Sequence, residues 1–180
     1  MNLSETITPK SDQLNADDFT AGPQTITISR VSAGSAEQPV DFHWHGGEGR
    51  PYKPSKSMRR VIVGLWGSIS DTYVGESLTL YCDPKVKFGG QEVGGIKISH
   101  ATGISQRFTA LLTVTRGRRE PHIVEPLPLF NEGRNAAVQG VDALKSWYSK
   151  LTPADKLTVK PTLDASWKPI AESISKEVEK

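Results

Sequence analysis

The sequence of 180 residues has one cysteine and no long run of apolar residues. Cys82 has no second cysteine with which to form a disulfide inside the chain, and its place in a predicted strand favours a buried, unreactive thiol. No stretch approaches the roughly 18 consecutive apolar residues of a membrane helix, and the N-terminus lacks the basic and apolar regions of a secretory signal. We therefore expect a cytoplasmic protein that makes no contact with membranes.

The common catalytic motifs are also missing. The sequence has no Gly-x-x-x-x-Gly-Lys-Ser/Thr phosphate loop, no Gly-x-Ser-x-Gly elbow and no His-Glu-x-x-His helix. His43 and His45 would share one face of a strand, but two imidazoles are too few for a zinc site. We predict a protein without catalytic activity, metal or cofactor. An enzyme that uses dispersed carboxylates, such as a metal-dependent nuclease, is the alternative.

The net charge of +2 hides an uneven distribution along the chain. Residues 1–49 carry a net charge of −5, residues 50–119 carry +8, and residues 120–180 carry −1. A positive field over the middle segment would raise the local concentration of a phosphate backbone. The charge pattern therefore favours nucleic acid as a partner.

Period-two alternation of apolar and polar residues predicts five long strands between residues 23 and 127. The spacing of Met58, Val61, Ile62 and Leu65 predicts one short helix, although residues 58–66 also fit a strand. This content resembles a small five-stranded barrel of the oligonucleotide/oligosaccharide-binding type, in which the helix commonly follows the third strand rather than the second. A β-sandwich, or a barrel without nucleic-acid function, is the alternative. The five predicted strands are 24–31, 40–45, 78–82, 96–99 and 108–115.

The two ends of the chain read differently from this β domain. We expect residues 1–22 to form an irregular lead-in with one helical turn. The prolines between residues 121 and 128 indicate an extended segment. Residues 128–180 have helical periodicity, and Thr152-Pro153 marks a helix start. The predicted fold is therefore mainly β with a helical C-terminal segment (α+β). Trp147, Tyr148 and Trp167 in that segment are candidates for partner binding or for homo-oligomerisation.

Basic and aromatic residues alternate within the positive middle segment, as they do in proteins that bind single strands through a positive groove and aromatic platforms. For any one of these residues, a place on an ordinary solvated surface is the alternative. Stacking on bases is predicted for Tyr52, Tyr73, Tyr81 and His43. Phosphate contacts are predicted for Lys53, Lys56, Arg59, Arg60, Lys85, Lys87, Lys97, Arg116, Arg118 and Arg119.

Several stretches carry a resemblance to known proteins. They are GRPYKPSKSMRR (49–60), YVGESLTLY (73–81), DPKVKFGG (83–90) and VGGIKISH (93–100). Over residues 7–127 the chain resembles a little-characterised family of bacteriophage and prophage proteins. The resemblance implies an accessory factor of phage replication and recombination in the cytoplasm of a bacterial host, and it supplies no catalytic motif.

Two functions follow as expectations. The first is a noncatalytic protein that binds single-stranded DNA or RNA, with a phage recombination protein or a host protein bound through the C-terminal helices. The second is a phage-encoded interaction module that inhibits or recruits a host defence or repair protein, through the acidic N-terminal segment or the helical tail.

Overall fold

The computed structural model describes residues 11–115 and 117–178, without the side chains of Phe88 and Val178. The first ten residues of the predicted lead-in and the candidate phosphate ligand Arg116 lie outside the described residues. The strands are β1 Gln24–Ala33, β2 Val40–Trp44, β3 Ser77–Asp83, β4 Lys87–Phe88, β5 Gln91–Glu92, β6 Gly95–Ala101, β7 Phe108–Thr115 and β8 Arg118–Pro126. The helices are α1 Lys56–Trp66, α2 Pro128–Ala137, α3 Val141–Ser149, α4 Pro153–Thr162 and α5 Lys168–Val178. Two 3-10 turns span Ala16–Phe19 and Ser70–Tyr73, and a π-helical turn spans Leu163–Trp167.

Six of the strands form one mixed sheet in the order β2-β1-β3-β6-β8-β7. Neighbouring strands are antiparallel except β6 and β8, which are parallel. The α+β class is confirmed, but the six-stranded sheet is open and does not close into a barrel, so the predicted five-stranded barrel is not confirmed. Closure needs bonds between the first and last strands of the sheet, and local alternation of residue types does not specify such distant pairing.

The sixth strand of this sheet, β8, comes from the proline-containing segment that was predicted only to be extended. It inserts between β6 and β7, so it is an inner strand of the sheet. Pro121 lies opposite Leu111 of β7, and Pro126 ends the strand. The prolines therefore indicate an extended segment, but they do not predict that this segment pairs with a strand on each side.

The helix α1 follows the second strand, as the sequence predicts, and it covers one face of the sheet. The Ser55 hydroxyl accepts a hydrogen bond from the Met58 N–H at 3.4 Å, which places the N-cap two residues before Ser57. Gly64 lets the helix approach β7 closely, because a Cβ at this position would lie 2.5 Å from the Phe108 ring. We call this helix-covered side of the sheet the inner face. Its core contains Met58, Val61, Ile62, Ile26, Leu78, Leu80, Ile98 and Val124.

The helices α2 to α5 form a second hydrophobic cluster, which we call the helical lobe (residues 128–178). The Trp167 ring meets the rings of Phe130 and Trp147 edge to face, at centroid distances of 5.7 and 5.5 Å. The sequence places the start of α4 correctly, since Thr152 Oγ1 accepts from the Asp155 N–H at 3.1 Å. The helix α5 begins directly after the π-helical turn, and Pro169 is its second residue.

Polar bonds attach the helical lobe to the sheet. Arg134 Nη1 lies 2.9 Å from Glu76 Oε1, and Glu76 is only 7% exposed. The Thr102 hydroxyl donates to the other oxygen of this carboxylate at 2.5 Å. The hydroxyls of Thr27 and Thr162 lie 2.9 Å apart. The lobe is therefore docked on the end of the sheet at which β3 begins.

Candidate nucleic-acid interface

The sheet face opposite α1, which we call the outer face, is only partly covered by the helical lobe. The lobe meets it at Thr27 and Ser77, whose hydroxyls are 2.8 Å apart and close to Thr162. Towards the other end of the sheet the outer face carries cross-strand pairs in which at least one member is exposed or half-exposed, while Thr79 is buried. These pairs are Thr25 with Thr79, Tyr81 with Lys97, Thr109 with Ile123, Leu111 with Pro121, and Thr113 with Arg119.

Tyr81 and Lys97 are direct cross-strand neighbours and form the centre of this surface. Both are partly exposed. Lys97 Nζ is held 2.5 Å from Asp83 Oδ2, and Asp83 Oδ1 accepts from the Lys85 N–H at 3.0 Å. An aromatic ring beside a positioned ammonium group is suited to a base next to its phosphate.

The charges around Tyr81 shift two pKa values. Partial burial raises the pKa of Tyr81, with a smaller opposing effect of Lys97 and a smaller reinforcing effect of Asp83. Partial burial would also raise the pKa of Asp83, but the hydrogen bonds from Lys97 and from the Lys85 N–H, with the charges of both lysines, bring that pKa below its usual value. At neutral pH the phenol therefore keeps its proton and can donate a hydrogen bond, while Asp83 stays ionised.

Four more cations lie at one end of the sheet, and we call them the basic rim: Lys85, Lys87, Arg118 and Arg119. The strand β3 ends where β8 begins, because β3 is antiparallel to β6 and β6 is parallel to β8. Arg118 and Lys87 are exposed and pair with Glu120 and Glu92, at 2.7 and 3.5 Å. In the part of the chain that the structure describes, no ion pair joins Lys85 or Arg119 to a carboxylate.

His43 and Lys53 lie towards the other side of the sheet. His43 Nε2 is 3.0 Å from Arg30 Nη2 and 2.9 Å from the Ser32 hydroxyl, while Lys53 Nζ is 3.9 Å from a carboxylate oxygen of Asp41. His43 lies on the outer face, as Tyr81 does. The helical lobe contacts this face at Thr27 of β1, between the end of β1 that carries Arg30, beside His43, and the end that carries Thr25. These residues form a separate polar group.

The three cations of the helix α1 are on the opposite side of the sheet. Lys56 and Arg60 are exposed, and Arg59 Nη1 donates to the Pro54 carbonyl at 2.8 Å. Because α1 packs on the inner face, these side chains cannot contact the same ligand segment as Tyr81 and Lys97. The structure thus divides the predicted basic cluster into at least two surfaces.

Two of the predicted stacking residues are in the core, so their assignment to base stacking is wrong for this structure. Tyr52 is 1% exposed and Tyr73 is 4% exposed. The Tyr73 ring stacks on Phe42 at 6.0 Å, and its hydroxyl donates to the Gly67 carbonyl. Burial raises the pKa of Tyr52 far above its usual value. Both tyrosines lie outside the runs of alternating apolar and polar residues. The sequence pattern therefore does not indicate whether their side chains face the core or the solvent.

The sequence pattern missed the apolar part of the outer face. Leu111 is 66% exposed and Ile123 is 43% exposed, on adjacent strands of the sheet. The signal was present, because Leu111 is apolar at a position where the alternation of β7 requires a solvent-facing residue. Val114 is 55% exposed, and the register of β7 shifts between Thr113 and Thr115.

The aromatic residues predicted to bind a partner differ in exposure. Trp167 is 1% exposed at the centre of the helical lobe, so its prediction as a surface residue is wrong. Trp147 is partly exposed, and its Nε1 donates to Glu132 at 3.3 Å. Tyr148 is partly exposed, with the Lys156 ammonium 5.4 Å from its ring centroid. Trp167 therefore contributes packing, while Tyr148 contributes to a surface groove.

The described part of the chain contains neither a metal-binding cluster nor a membrane-spanning helix. No group of three or more His, Cys, Asp or Glu side chains in residues 11–115 and 117–178 could hold a metal ion. Among the helices of that same part of the chain, none has the length and apolar character needed to cross a membrane.

Comparisons with known proteins do not extend this description. No protein-family model matches the chain, and neither a curated protein nor a solved structure is significantly similar to it. The resemblance to phage proteins therefore stays a prediction from the quoted stretches, and the function has to be argued from the surface itself.

Proposed function

We propose that the protein binds single-stranded nucleic acid on the outer face of its sheet and does so without catalysis. The observation that carries this proposal is the partly exposed cross-strand pair Tyr81–Lys97, on the part of the outer face that leads to the basic rim. The tyrosine ring offers a stacking platform, and the cations offer contacts to phosphates. Leu111 and Ile123 add apolar surface for further bases.

A single strand fits this surface better than a duplex. Stacking on Tyr81 requires a base whose face is free, and the bases of a duplex are stacked on one another. The basic rim and Lys97 together supply five cations, and three of them are paired with carboxylates. This pairing limits the electrostatic attraction of the surface for a duplex, whose phosphates are more densely spaced than those of a single strand. The resemblance to phage accessory factors suggests replication and recombination of phage DNA as the process served.

The first experiment measures fluorescence anisotropy of labelled single-stranded and double-stranded oligonucleotides across a salt series. We expect tighter binding of the single strand and a steep loss of affinity with salt, because cations displaced from phosphates are released on binding. Failure of the wild-type protein to bind the single strand at low salt would overturn the proposal.

A matched pair of charge reversals locates the site. The variant Lys85→Glu/Arg119→Glu changes the outer side, and Lys56→Glu/Arg60→Glu makes the same change of charge on α1. All four side chains are exposed. We expect the first variant to weaken binding roughly tenfold or more and to lower the salt slope by about two, with a much smaller effect of the second. Equal losses in both variants would show a general charge effect and would contradict this placement.

A groove in the helical lobe supports a second candidate function, binding of a host protein. The groove has a volume of about 240 Å³ and lies between α3 and the helix formed by α4 and α5. Its floor is apolar, at Leu144 and Leu163. Its lining carries three lysines and two carboxylates, and Asp164 pairs with Lys160 and Lys168 at 3.2 and 2.6 Å. An amphipathic segment of a host defence or repair protein would lay its apolar side on this floor and place an acidic side chain near Lys145.

The two candidate functions separate in a co-purification experiment. A host protein bound in the groove should stay with the chain in stoichiometric amount after nuclease treatment and at high salt. It should be lost from Lys145→Glu/Lys168→Glu and retained by the control Lys150→Glu/Lys176→Glu. All four lysines are exposed, and the two control positions lie on the same helices or at their ends. Loss of the host protein on nuclease treatment would instead indicate bridging by nucleic acid.

A further inference from the structure

The strand β7 is an outermost strand of the sheet and lacks the usual protection of an edge. It pairs only with β8, so alternate backbone N–H and C=O groups point away from the sheet. Natural edge strands are commonly protected by lysine, proline, a short length or a β-bulge, and β7 has a register shift only near its end, between Thr113 and Thr115. The eight residues Phe108–Thr115 contain no charged residue and no proline. Within the described residues, no further strand pairs with this edge, and the helix α1 contacts β7 on the inner face.

Exposed apolar side chains accompany the open edge. Leu111 and Val114 both belong to β7, and they are 66% and 55% exposed. Ile123 of the neighbouring strand is 43% exposed on the same face as Leu111. An apolar strand with free backbone groups is a template for another strand, and a nucleic acid cannot supply the matching ladder of amide groups.

The opposite edge of the sheet differs. The strand β2 exchanges two backbone hydrogen bonds with Tyr52, each 2.9 Å long, through Phe42 at the centre of the strand. The segment around Tyr52 therefore occupies the outer side of β2. An incoming copy of the chain finds a free edge at β7 and an occupied one at β2.

We propose that β7 pairs antiparallel with β7 of a second copy of this chain, about a two-fold axis perpendicular to the sheet and close to Leu111. Such a contact uses the same strand from both copies, and the absence of charge from β7 means that self-pairing sets no like charges opposite one another. Because the β2 edge is occupied, the association closes at two copies and does not continue into a filament.

This dimer has a consequence for nucleic-acid binding, and that consequence rests on the proposed function. A two-fold axis perpendicular to the sheet keeps the outer faces of both copies on the same side. The two Tyr81–Lys97 pairs then lie on one continuous sheet, and a single strand can span both copies. Linked sites raise the apparent affinity for long oligonucleotides above that for short ones.

The dimer is tested by sedimentation velocity over a series of protein concentrations. One strand pairing with one strand is a small interface, below about 1,200 Å² in total, so we expect a dimer that dissociates on dilution. Leu111→Lys should raise the dissociation constant at least tenfold. Leu157→Lys, at a position 73% exposed on α4, should not change it. A wild-type protein that is monomeric at every concentration would overturn the proposal.

Cysteine cross-linking gives an independent readout if the lysine variant fails to fold. In a Cys82→Ala background, Leu111→Cys near the two-fold axis should form a disulfide-linked dimer on mild oxidation, because facing strand residues come within the Cα distance that a disulfide requires. Thr109→Cys and Thr113→Cys test neighbouring registers, and Leu157→Cys is the control. If none of the three β7 cysteine variants cross-links faster than Leu157→Cys, the proposed pairing is contradicted.

The oligonucleotide measurements separate this inference from the proposed function. A protein that dimerises but does not bind single strands would support the β7 pairing and overturn the proposed function. A protein that stays monomeric but binds single strands would support the function and overturn the pairing. If both hold, Leu111→Lys should reduce affinity for a long oligonucleotide more than for a short one.

Discussion

Tyr81 is the residue on which the proposed interface depends most directly. Its ring lies beside Lys97 on an uncovered face, whereas Tyr52 and Tyr73 are enclosed in the core. Tyr81→Ala should weaken single-strand binding by about 1–3 kcal/mol, the usual contribution of one stacked base. Tyr81→Phe should retain most of the affinity, because the ring remains. Anisotropy titrations at one salt concentration measure both variants, and equal weakening by Phe and Ala would indicate a role for the hydroxyl instead of stacking.

His122 makes the stability of the sheet depend on pH. It is buried, and its Nε2–H donates to the Ile98 carbonyl at 2.8 Å. Burial lowers the pKa of His122 below its usual value of 6.5, with a smaller opposing effect of the bond to Ile98. The unfolded chain therefore takes up a proton first as the pH falls. Stability should be fully present above about pH 6.5 and should decrease below it, by at most about 1.4 kcal/mol per pH unit for this one group.

The variant His122→Gln isolates this contribution. Glutamine keeps a donor for the Ile98 carbonyl but does not titrate, so the fall in stability below pH 6.5 should become shallower. Urea unfolding at several pH values between 5 and 8 measures the difference. Burial also lowers the pKa of His45, so His45→Gln is measured in parallel. An unchanged pH dependence in His122→Gln would exclude this residue as the source.

At the same scale, the sequence predicts exposure well only where a residue has a strand phase. Alternation in β3 and β6 correctly placed Tyr81 and Lys97 on the solvent side and Leu80 and Ile98 on the core side. Tyr52 lies in a proline-rich connection without a phase. Its burial depends on the backbone bonds to Phe42, a contact that no local pattern contains.

At the scale of elements, α2 packs so closely in the helical lobe that one methyl group should disturb it. A Cβ at Gly133 would lie 2.3 Å from the Trp167 ring and 2.7 Å from the Trp147 ring. Gly133→Ala should therefore destabilise the protein by about 1–3 kcal/mol through overpacking, although alanine favours the helix. Near-ultraviolet circular dichroism and urea unfolding measure the effect.

An exposed position on the same helix provides the control for overpacking. Asn135→Ala also gains helix propensity but introduces no clash, so it should leave stability unchanged or slightly raised. Gly133→Ala as stable as the wild type would show that the tryptophan rings move aside without cost.

The sequence predicted the individual elements better than their arrangement. The predicted strands and the helix after the second strand are present because alternation and helical periodicity are local properties of the chain. The parallel pairing of β6 with β8, and hence the open sheet, depends on residues such as His100 and Glu125 that lie far apart in sequence. Local patterns contain no information on that choice.

At the scale of the whole molecule, one ion pair attaches the helical lobe to the sheet. Glu76 is 7% exposed, and it receives Arg134 and the Thr102 hydroxyl. Arg134→Met should cost roughly 2–3 kcal/mol of stability, less than the roughly 3–5 kcal/mol of a fully buried pair, because a third of the arginine side chain is exposed. Glu76→Gln/Arg134→Met should recover part of this loss, since no charge is then left unpaired.

Urea unfolding of the single and double variants measures this coupling. A double variant less stable than Arg134→Met alone would show that the carboxylate is satisfied without the arginine. The sequence could not predict the pair, because its members lie in segments of different periodicity and 58 positions apart.

The hydroxyl contact between Thr27 and Thr162 also affects how the protein is made. The two residues are 135 positions apart, so the strand that carries Thr27 leaves the ribosome long before its helical partner is synthesised. At about 5–20 residues per second, this delay is roughly 7–27 s. During that time the nascent sheet exposes Thr27, Ser77 and the carboxylate of Glu76. The last step of assembly is therefore set by translation, and rare codons between the two segments would prolong exposure of the unfinished sheet to chaperones and proteases.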